Sequence, residues 1–359
     1  MINWFEIISQ YPCLETLKNC PQNPIYHAEG DVLTHTKMVV ETLVSLPKWQ
    51  QLSESEKNIL FTAALLHDIG KPISTTIDEN GIISSRGHGR KGTQLARYIL
   101  YEKNTPFWER EKIVSLVQYN GLPLWFWDKQ NPQRDIIKAS QVITCEWLAI
   151  LAEADVGGRI CADQQELFER ITFFREFCQE NNCLTQPWQF ADNYSRFVYF
   201  HKEKSDPNYQ AFDDSRCQVV VMSGLPASGK DTWIQNNLPN WPEICLDKIR
   251  QQINISPEKD QSIVVNFAKE KAKEYLRQKQ SFVWNATNTT KQMRQQLIDL
   301  FVGYKAKIRL VYLEAPLNEI LERNSQRNQP VPENIIEKLA GRLDIPDPTE
   351  AHEVEWVIQ

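Results

Sequence analysis

The residues whose types and spacing could do chemistry fall in two sets, one in each half of the chain. In the second half, Gly224-Leu225-Pro226-Ala227-Ser228-Gly229-Lys230-Asp231-Thr232 follows the apolar run Val219-Val220-Val221-Met222. Glycines let backbone N–H groups close around phosphate oxygens, and the start of the next helix adds partial positive charge. A lysine at that place reaches the β- and γ-phosphates. The spelling predicts a strand, a phosphate-binding loop and a helix that hold a nucleoside triphosphate through Gly224, Ser228, Gly229, Lys230, Asp231 and Thr232. One departure concerns the metal: Asp231 stands where Ser or Thr usually holds Mg²⁺, and Thr232 comes one place later.

In the first half, His67-Asp68 closes an otherwise apolar helix through Ile59, Leu60, Ala63, Ala64 and Leu66. Burying an imidazole beside a carboxylate is costly unless something compensates both. A transition metal such as Mn, Co, Ni or Zn does so, because nitrogen plus oxygen is a donor set these ions accept. His35, on an earlier helix, is a candidate third ligand. Asp155, at the end of the apolar helix 148–155, is the fourth. Water on such a metal becomes a hydroxide near neutral pH and attacks a phosphate ester. Lys71, Arg90 and Lys91 could hold substrate phosphate, and a solvated basic loop accounts for them as well. Trp125-Phe126-Trp127 either stacks a base or packs in a core.

Three further clusters accompany the phosphate loop. Asp247 and Arg250 stand at i, i+3 on one helix face, where the carboxylate could take a proton from an attacking hydroxyl and the arginine could hold the acceptor. A surface ion pair is the plainer alternative. Arg323 and Arg327 at i, i+4 could clamp a triphosphate. Trp284-Asn285-Ala286-Thr287-Asn288 ends a strand that would approach the phosphates.

The elements that must position these groups divide the chain. Its 359 residues suffice for two domains with full cores. Residues 1–200 read as helical, with Asp31 as a helix cap and Ser53-Glu54-Ser55-Glu56 as a capping box. The polar, Pro-broken stretch 201–216 reads as a linker, and 217–359 as strands alternating with helices around a mostly parallel sheet. The net charge of -6 excludes a broad basic coat for nucleic acid, so a polynucleotide would be held by local clusters. The longest apolar run, Ile59 to Leu66, is too short to span a bilayer, and the opening residues carry an early acid and no basic segment. Eight scattered cysteines without C-x-x-C fit reduced thiols in a cytoplasmic protein.

His35, His67-Asp68 and Asp155 in this order resemble the H…HD…D signature of the HD phosphohydrolases. The stretch Leu65 to Arg97, with Gly87-His88-Gly89 and Gly92-Thr93-Gln94-Leu95-Ala96, is similar to the HD module of bacterial tRNA nucleotidyltransferases. That likeness places His88 near the metal, as phosphate contact, second-metal ligand or plain loop histidine. The helix of Val117-Gln118-Tyr119-Asn120 lacks the histidine of dinuclear members, which implies one metal. The Asp231-Thr232 spelling resembles the loop of adenylate-kinase-like enzymes. The phosphate loop, Leu246-Asp247-Lys248-Ile249-Arg250, Asn285-Ala286-Thr287-Asn288, Glu314-Ala315-Pro316 and Arg323-Asn324-Ser325-Gln326-Arg327 together resemble the P-loop polynucleotide 5′-kinases, as does the tail from Val331 to Glu333 and from Pro346 to Glu353. On that likeness Lys230 binds the β/γ-phosphates of ATP or another NTP, Asp247 is the general base, Arg250 positions the acceptor, and Arg323 and Arg327 form a lid. Asn285, often Asp in relatives, leaves the Mg²⁺ shell open together with Asp231.

An all-α HD phosphohydrolase domain followed by an α/β P-loop kinase domain resembles the bacterial HD-Pnk end-healing enzymes. This implies a 5′-OH polynucleotide kinase joined to a 2′,3′-cyclic phosphodiesterase and 2′- or 3′-phosphatase acting on RNA or DNA ends. No K-x-D-G ligase nucleophile is present, so sealing would need a separate ligase. Two rivals are a nucleoside kinase fused to a nucleotide phosphohydrolase, and a kinase whose HD fold is a metal-free RNA-docking module.

Overall fold

The computed structural model describes residues 2–255 and 262–359. The chain divides into two compact units, 1–188 and 189–359.

The first unit is helical. Its principal helices are Val32–Ser45, Glu54–Leu66, His88–Glu102, Phe107–Tyr119, Cys145–Gly157 and Gln164–Glu180. Local chemistry sets their starts. The Asp31 carboxylate accepts from the Thr34 N–H, and Ser53 with Glu56 forms the expected capping box. Each helix turns an apolar stripe inward, so Val39, Val40, Leu60, Ala63, Val114, Leu148 and Ile150 are buried together. Between the second and third of these helices lies a small antiparallel hairpin, β1 Thr76–Ile77 and β2 Ile83–Ser84. The Asp78 carboxylate closes its turn by accepting from the N–H groups of Asn80 and Ile82.

The hairpin is pinned at its base by a backbone contact. A Cβ added at Gly70 would lie 2.2 Å from the His88 carbonyl oxygen and 2.5 Å from the Gly92 nitrogen. Only glycine fits there, and its presence holds the His67-Asp68 turn against the start of the His88 helix.

The second unit is a five-stranded, all-parallel sheet of β3 Cys217–Ser223, β4 Glu243–Cys245, β5 Phe282–Asn285, β6 Ala306–Glu314 and β7 Glu353–Ile358, in the order β4-β5-β3-β6-β7. Because β3 is central, its apolar run is buried on both faces. Val219 and Val221 pack with Trp284, Ile298 and Phe301 on one side, whereas Val220 and Met222 pack with Trp233 and Val311 on the other. The chain leaves β3 toward β4 and β5 and leaves β6 toward β7, which opens a crevice at the carboxyl ends of β3 and β6. The phosphate loop begins there.

The stretch 201–216, expected as a linker, lies within this second unit. The Ala211 N–H donates to Ser195 Oγ, the Arg216 N–H donates to the Lys305 carbonyl, and Lys305 pairs with Asp214. The preceding helix Asn193–His201 also packs on the sheet: Phe197 is buried among Ile308 and Ala351, and its ring stacks 3.8 Å from those of both His201 and His352. The tail motif has a structural part. Arg294 donates two hydrogen bonds to Glu350, both groups fully buried, and His352 Nδ1 accepts from the Ile308 N–H.

All eight cysteines are free. Among the described residues, no helix is long and apolar enough to cross a membrane.

Candidate functional site

In the first unit, His35, His67, Asp68 and Asp155 come together from three helices and are all buried. His35 Nε2 lies 3.1 Å from Asp155 Oδ1 and 3.9 Å from Asp68 Oδ2, and His67 Nε2 lies 3.3 Å from Asp68 Oδ2. Their arrangement fits a metal. His67 Nδ1 donates to the Ala64 carbonyl at 2.8 Å, which leaves the lone pair on Nε2, a buried nitrogen without a hydrogen-bond partner among the described residues. His35 Nε2 is likewise buried and without one among them. Aiming lone pairs at carboxylates in a dry interior costs several kcal/mol unless a cation sits between them. His35, His67, Asp68 and Asp155 would hold such an ion.

Of the groups behind these residues, Lys71 was expected at the site, whereas Glu29 and Arg159 were not. Glu29 Oε1 lies 2.8 Å from the Nδ1 atoms of both His35 and His27. A carboxylate behind an imidazole fixes ring orientation and raises ligand basicity. Glu29 sits in a coil with no periodic signal, so nothing in the sequence singled it out. Arg159 pairs with Asp155, one turn along, and Lys71 Nζ lies 2.6 Å from Asp68 Oδ2. Burial pushes the Asp68 carboxyl up, yet Lys71 and His67 outweigh it and hold the group well below the usual carboxylate range. Burial likewise opposes ionisation of Asp155, and Arg159 with His35 reverses it.

His88 Nδ1 donates to the Ser85 carbonyl at 2.7 Å, and its Nε2 lies 3.8 Å from Asp68 Oδ1. His27, Asp68, His88 and Asp155 border a cavity of about 510 Å³ whose wall also carries Lys71, Lys129 and Arg159. Arg90 is exposed and does not line it, while Lys91 donates to the Ile73 carbonyl. Asn120 lines it on the helix where a further histidine was looked for.

In the second unit, the loop has the backbone its glycines imply. Gly224 has φ 145°, Ala227 62° and Gly229 94°. A Cβ at Gly224 would meet the Leu313 carbonyl oxygen at 2.5 Å. Lys230 Nζ folds back over the loop and donates to the Gly224 and Leu225 carbonyls at 3.0 and 2.7 Å. Burial brings its pKa down to about 8, with Asp231 and Asp247 opposing and Arg327 adding to the fall. The end of β5 braces β3: the Gly224 N–H donates to the Thr287 carbonyl, and Asn288 Nδ2 donates to the Met222 carbonyl.

Asn285 Nδ2 donates to Asp231 Oδ1 and to Glu243 Oε1, both at 2.7 Å. Glu243, on the short β4, was missed because three residues carry no alternation; it completes a pair of hard oxygen donors of the kind Mg²⁺ prefers. Thr232 is exposed. Asp247 pairs with Arg250 on the helix Leu246–Gln252, and its carboxylate is 65% exposed. Arg323 donates to Glu319 and to Gln359 Oε1, and Gln359 in turn reaches the Ser228 carbonyl. The helix that carries Arg323 stops at Ser325, because Asn324 turns its side chain to the backbone of Val331. Arg327 therefore stands in the following turn rather than on a shared helix face.

Comparison with known proteins agrees with this division. Residues 32–141 match the HD family, described as an HD domain. Residues 219–346 match the AAA_33 family, described as an AAA domain. The chain is similar to L-seryl-tRNA(Sec) kinase of Methanococcus maripaludis, with 28% identity over 138 residues, covering 36% of this chain and 53% of that protein. It thus spans about half the length of this curated relative. A solved structure from Chloroflexus aurantiacus j-10-fl, described as a candidate kinase, shares 15% identity at a TM-score of 0.33, covering 40% of this chain and 86% of that one. Such a likeness is too slight to carry an argument. The chain is a fusion of an HD domain with a P-loop, kinase-like AAA_33 domain, the latter homologous to a kinase.

Proposed function

We propose that this chain heals both ends of a broken RNA strand. The P-loop half transfers the γ-phosphate of ATP or another NTP to a 5′-hydroxyl, with Mg²⁺. The HD half opens a 2′,3′-cyclic phosphate and removes the resulting 2′- or 3′-phosphate. Sealing is left to a separate ligase.

The observation that supports this reading is the pairing of opposite phosphate chemistries in one chain. The exposed Asp247, paired with Arg250, bears on a half-buried phosphate-loop lysine, and a His/Asp cluster opens into a cavity walled by Lys71, Lys129 and Arg159. In the kinase half, Lys230 and Arg327 neutralise transferring phosphate, Asp247 accepts the proton of the attacking hydroxyl, and Arg250 holds the acceptor. In the HD half, His35, His67, Asp68 and Asp155 would hold a transition metal, which would supply an acidified water and charge to offset that on the ester. Glu29 orients His35, and Lys71, Arg159 and His88 steady the phosphate.

The test supplies ATP, divalent metals and an RNA with 5′-hydroxyl and 2′,3′-cyclic phosphate ends, and identifies both termini. An RNA left unchanged at both ends, with lone nucleosides phosphorylated, refutes the proposal. The likeness to L-seryl-tRNA(Sec) kinase favours a second acceptor, a serine hydroxyl carried on tRNA. Including seryl-tRNA in the same assay separates the two.

A further inference from the structure

We propose that the HD half binds the base of the terminal nucleotide in a second cavity beside the His/Asp cluster. The inference rests on the hydrolase reading of that cluster. Next to the 510 Å³ cavity lies another of about 300 Å³, and the two share His27, Lys71, Trp125 and Arg159. The shared border is cationic, which suits a phosphate. Beyond it, the second cavity is walled by Tyr26, Trp125, Ile83 and Leu167, with Asn23 and Asp163 offering an amide and a carboxylate. A planar, hydrogen-bonding heterocycle joined to a phosphate fits that sequence of surfaces, and about 300 Å³ is the small end of ligand pockets, room for one nucleoside.

Trp125 is built as a platform. Of the three consecutive aromatics, Phe126 is core, 1% exposed against Phe173, Phe174 and Phe177. Trp127 packs on Phe173 and Phe177. Trp125 alone of the three lines the cavities, and it remains 44% exposed. Its ring is positioned without a ligand: the Arg170 guanidinium stands 4.8 Å from the ring centroid, and Arg170 Nη1 donates to the Leu124 carbonyl. A stacking surface fixed in advance loses little freedom when a base arrives.

The test uses protein carrying Lys230→Ala, so that nucleotide does not report on the phosphate loop. Calorimetry compares adenosine 3′-phosphate with 1-deoxyribose 3-phosphate, which has the same sugar phosphate and no base. The base-bearing probe should bind tighter by roughly ten- to hundredfold. Adding Trp125→Ala should bring that ratio toward one, and Trp125→Phe should restore most of it, which separates stacking from misfolding. Equal binding of the two probes, or a ratio unmoved by Trp125→Ala, overturns the proposal. A penta-adenylate with a 3′-phosphate distinguishes sources: tighter binding than the mononucleotide marks an RNA end, equal binding a free nucleotide. Base-dependent binding with adenosine 2′,3′-cyclic phosphate left unhydrolysed, neither opened to a monophosphate nor freed of phosphate, would support the cavity and strike the hydrolase reading instead.

Discussion

Replacing Gly70 by alanine tests how the His67-Asp68 turn is held. The added methyl would sit 2.2 Å from the His88 carbonyl oxygen, 2.5 Å from the Gly92 nitrogen and 2.8 Å from the Gly92 Cα, all backbone atoms. No side-chain rotation relieves such contacts, so the start of the His88 helix must withdraw by roughly an ångström to reach van der Waals distance. Overpacking of this kind costs about 1–3 kcal/mol, which for a unit of this size lowers Tm by about 2–12 °C. Withdrawal also lengthens the 3.8 Å gap between His88 Nε2 and Asp68 Oδ1. A displacement of that order costs up to about a hundredfold in rate. The assay pairs thermal melting with phosphate release from a 2′,3′-cyclic end, using 5′-phosphorylation as the internal reference. Gly89→Ala is the control, because nothing lies within 4 Å of a Cβ there. A Gly70→Ala protein melting within about 1 °C of the parent and releasing phosphate at the parental rate would refute the steric argument.

Glu29→Gln removes the charge behind His27 and His35 and should weaken metal affinity about 10- to 100-fold, measured by competition against a chromogenic chelator. Lys230→Gln should raise the Tm of the nucleotide-free protein at pH 7. Burial depresses the Lys230 pKa from 10.5 to about 8, so between those values the unfolded chain binds more protons and wild-type stability rises with pH. The Tm advantage of the variant should therefore shrink from pH 8 toward pH 10, and an advantage that grows would contradict the sign. Asp247→Ala should abolish 5′-phosphorylation and leave phosphate release intact, and Asp68→Ala should do the reverse. Loss of both activities in either variant would contradict independent sites.

How much of this was readable depends on whether a residue's role leaves a local signal. The phosphate loop did, because a buried strand, φ-positive glycines and a helix-start lysine are each spelled in consecutive residues. The helices of the first unit followed from apolar spacing and from the caps at Asp31 and Ser53. Three-residue β4 and the two-residue strands of the hairpin are too short for alternation to show. His35 and Asp155, 120 residues apart in sequence, were paired through the ligand set that His67-Asp68 calls for and through a family pattern, and the structure places their side chains 3.1 Å apart. Glu29 acts through His35, and such a role writes nothing into neighbouring sequence. Arg159 did leave a hint, the i, i+4 spacing from Asp155 that allows an ion pair on one helix face. The aromatic triplet 125–127 was ambiguous because its members part company, one buried and two exposed. In the polar stretch 201–216, Asp214 and Asp213 pair with Lys305 and Lys307, far away in sequence, which the local composition does not reveal.

The sandwich of Phe197 between His201 and His352 has a practical consequence for anyone dissecting the protein. A fragment started at residue 217, where the sheet begins, would strip an aromatic plug from the outer layer and leave a slot beside Ile308 and Ala351. Such a fragment should come out of cells aggregated, whereas one begun at Gln189 keeps the plug and should melt as a single cooperative unit.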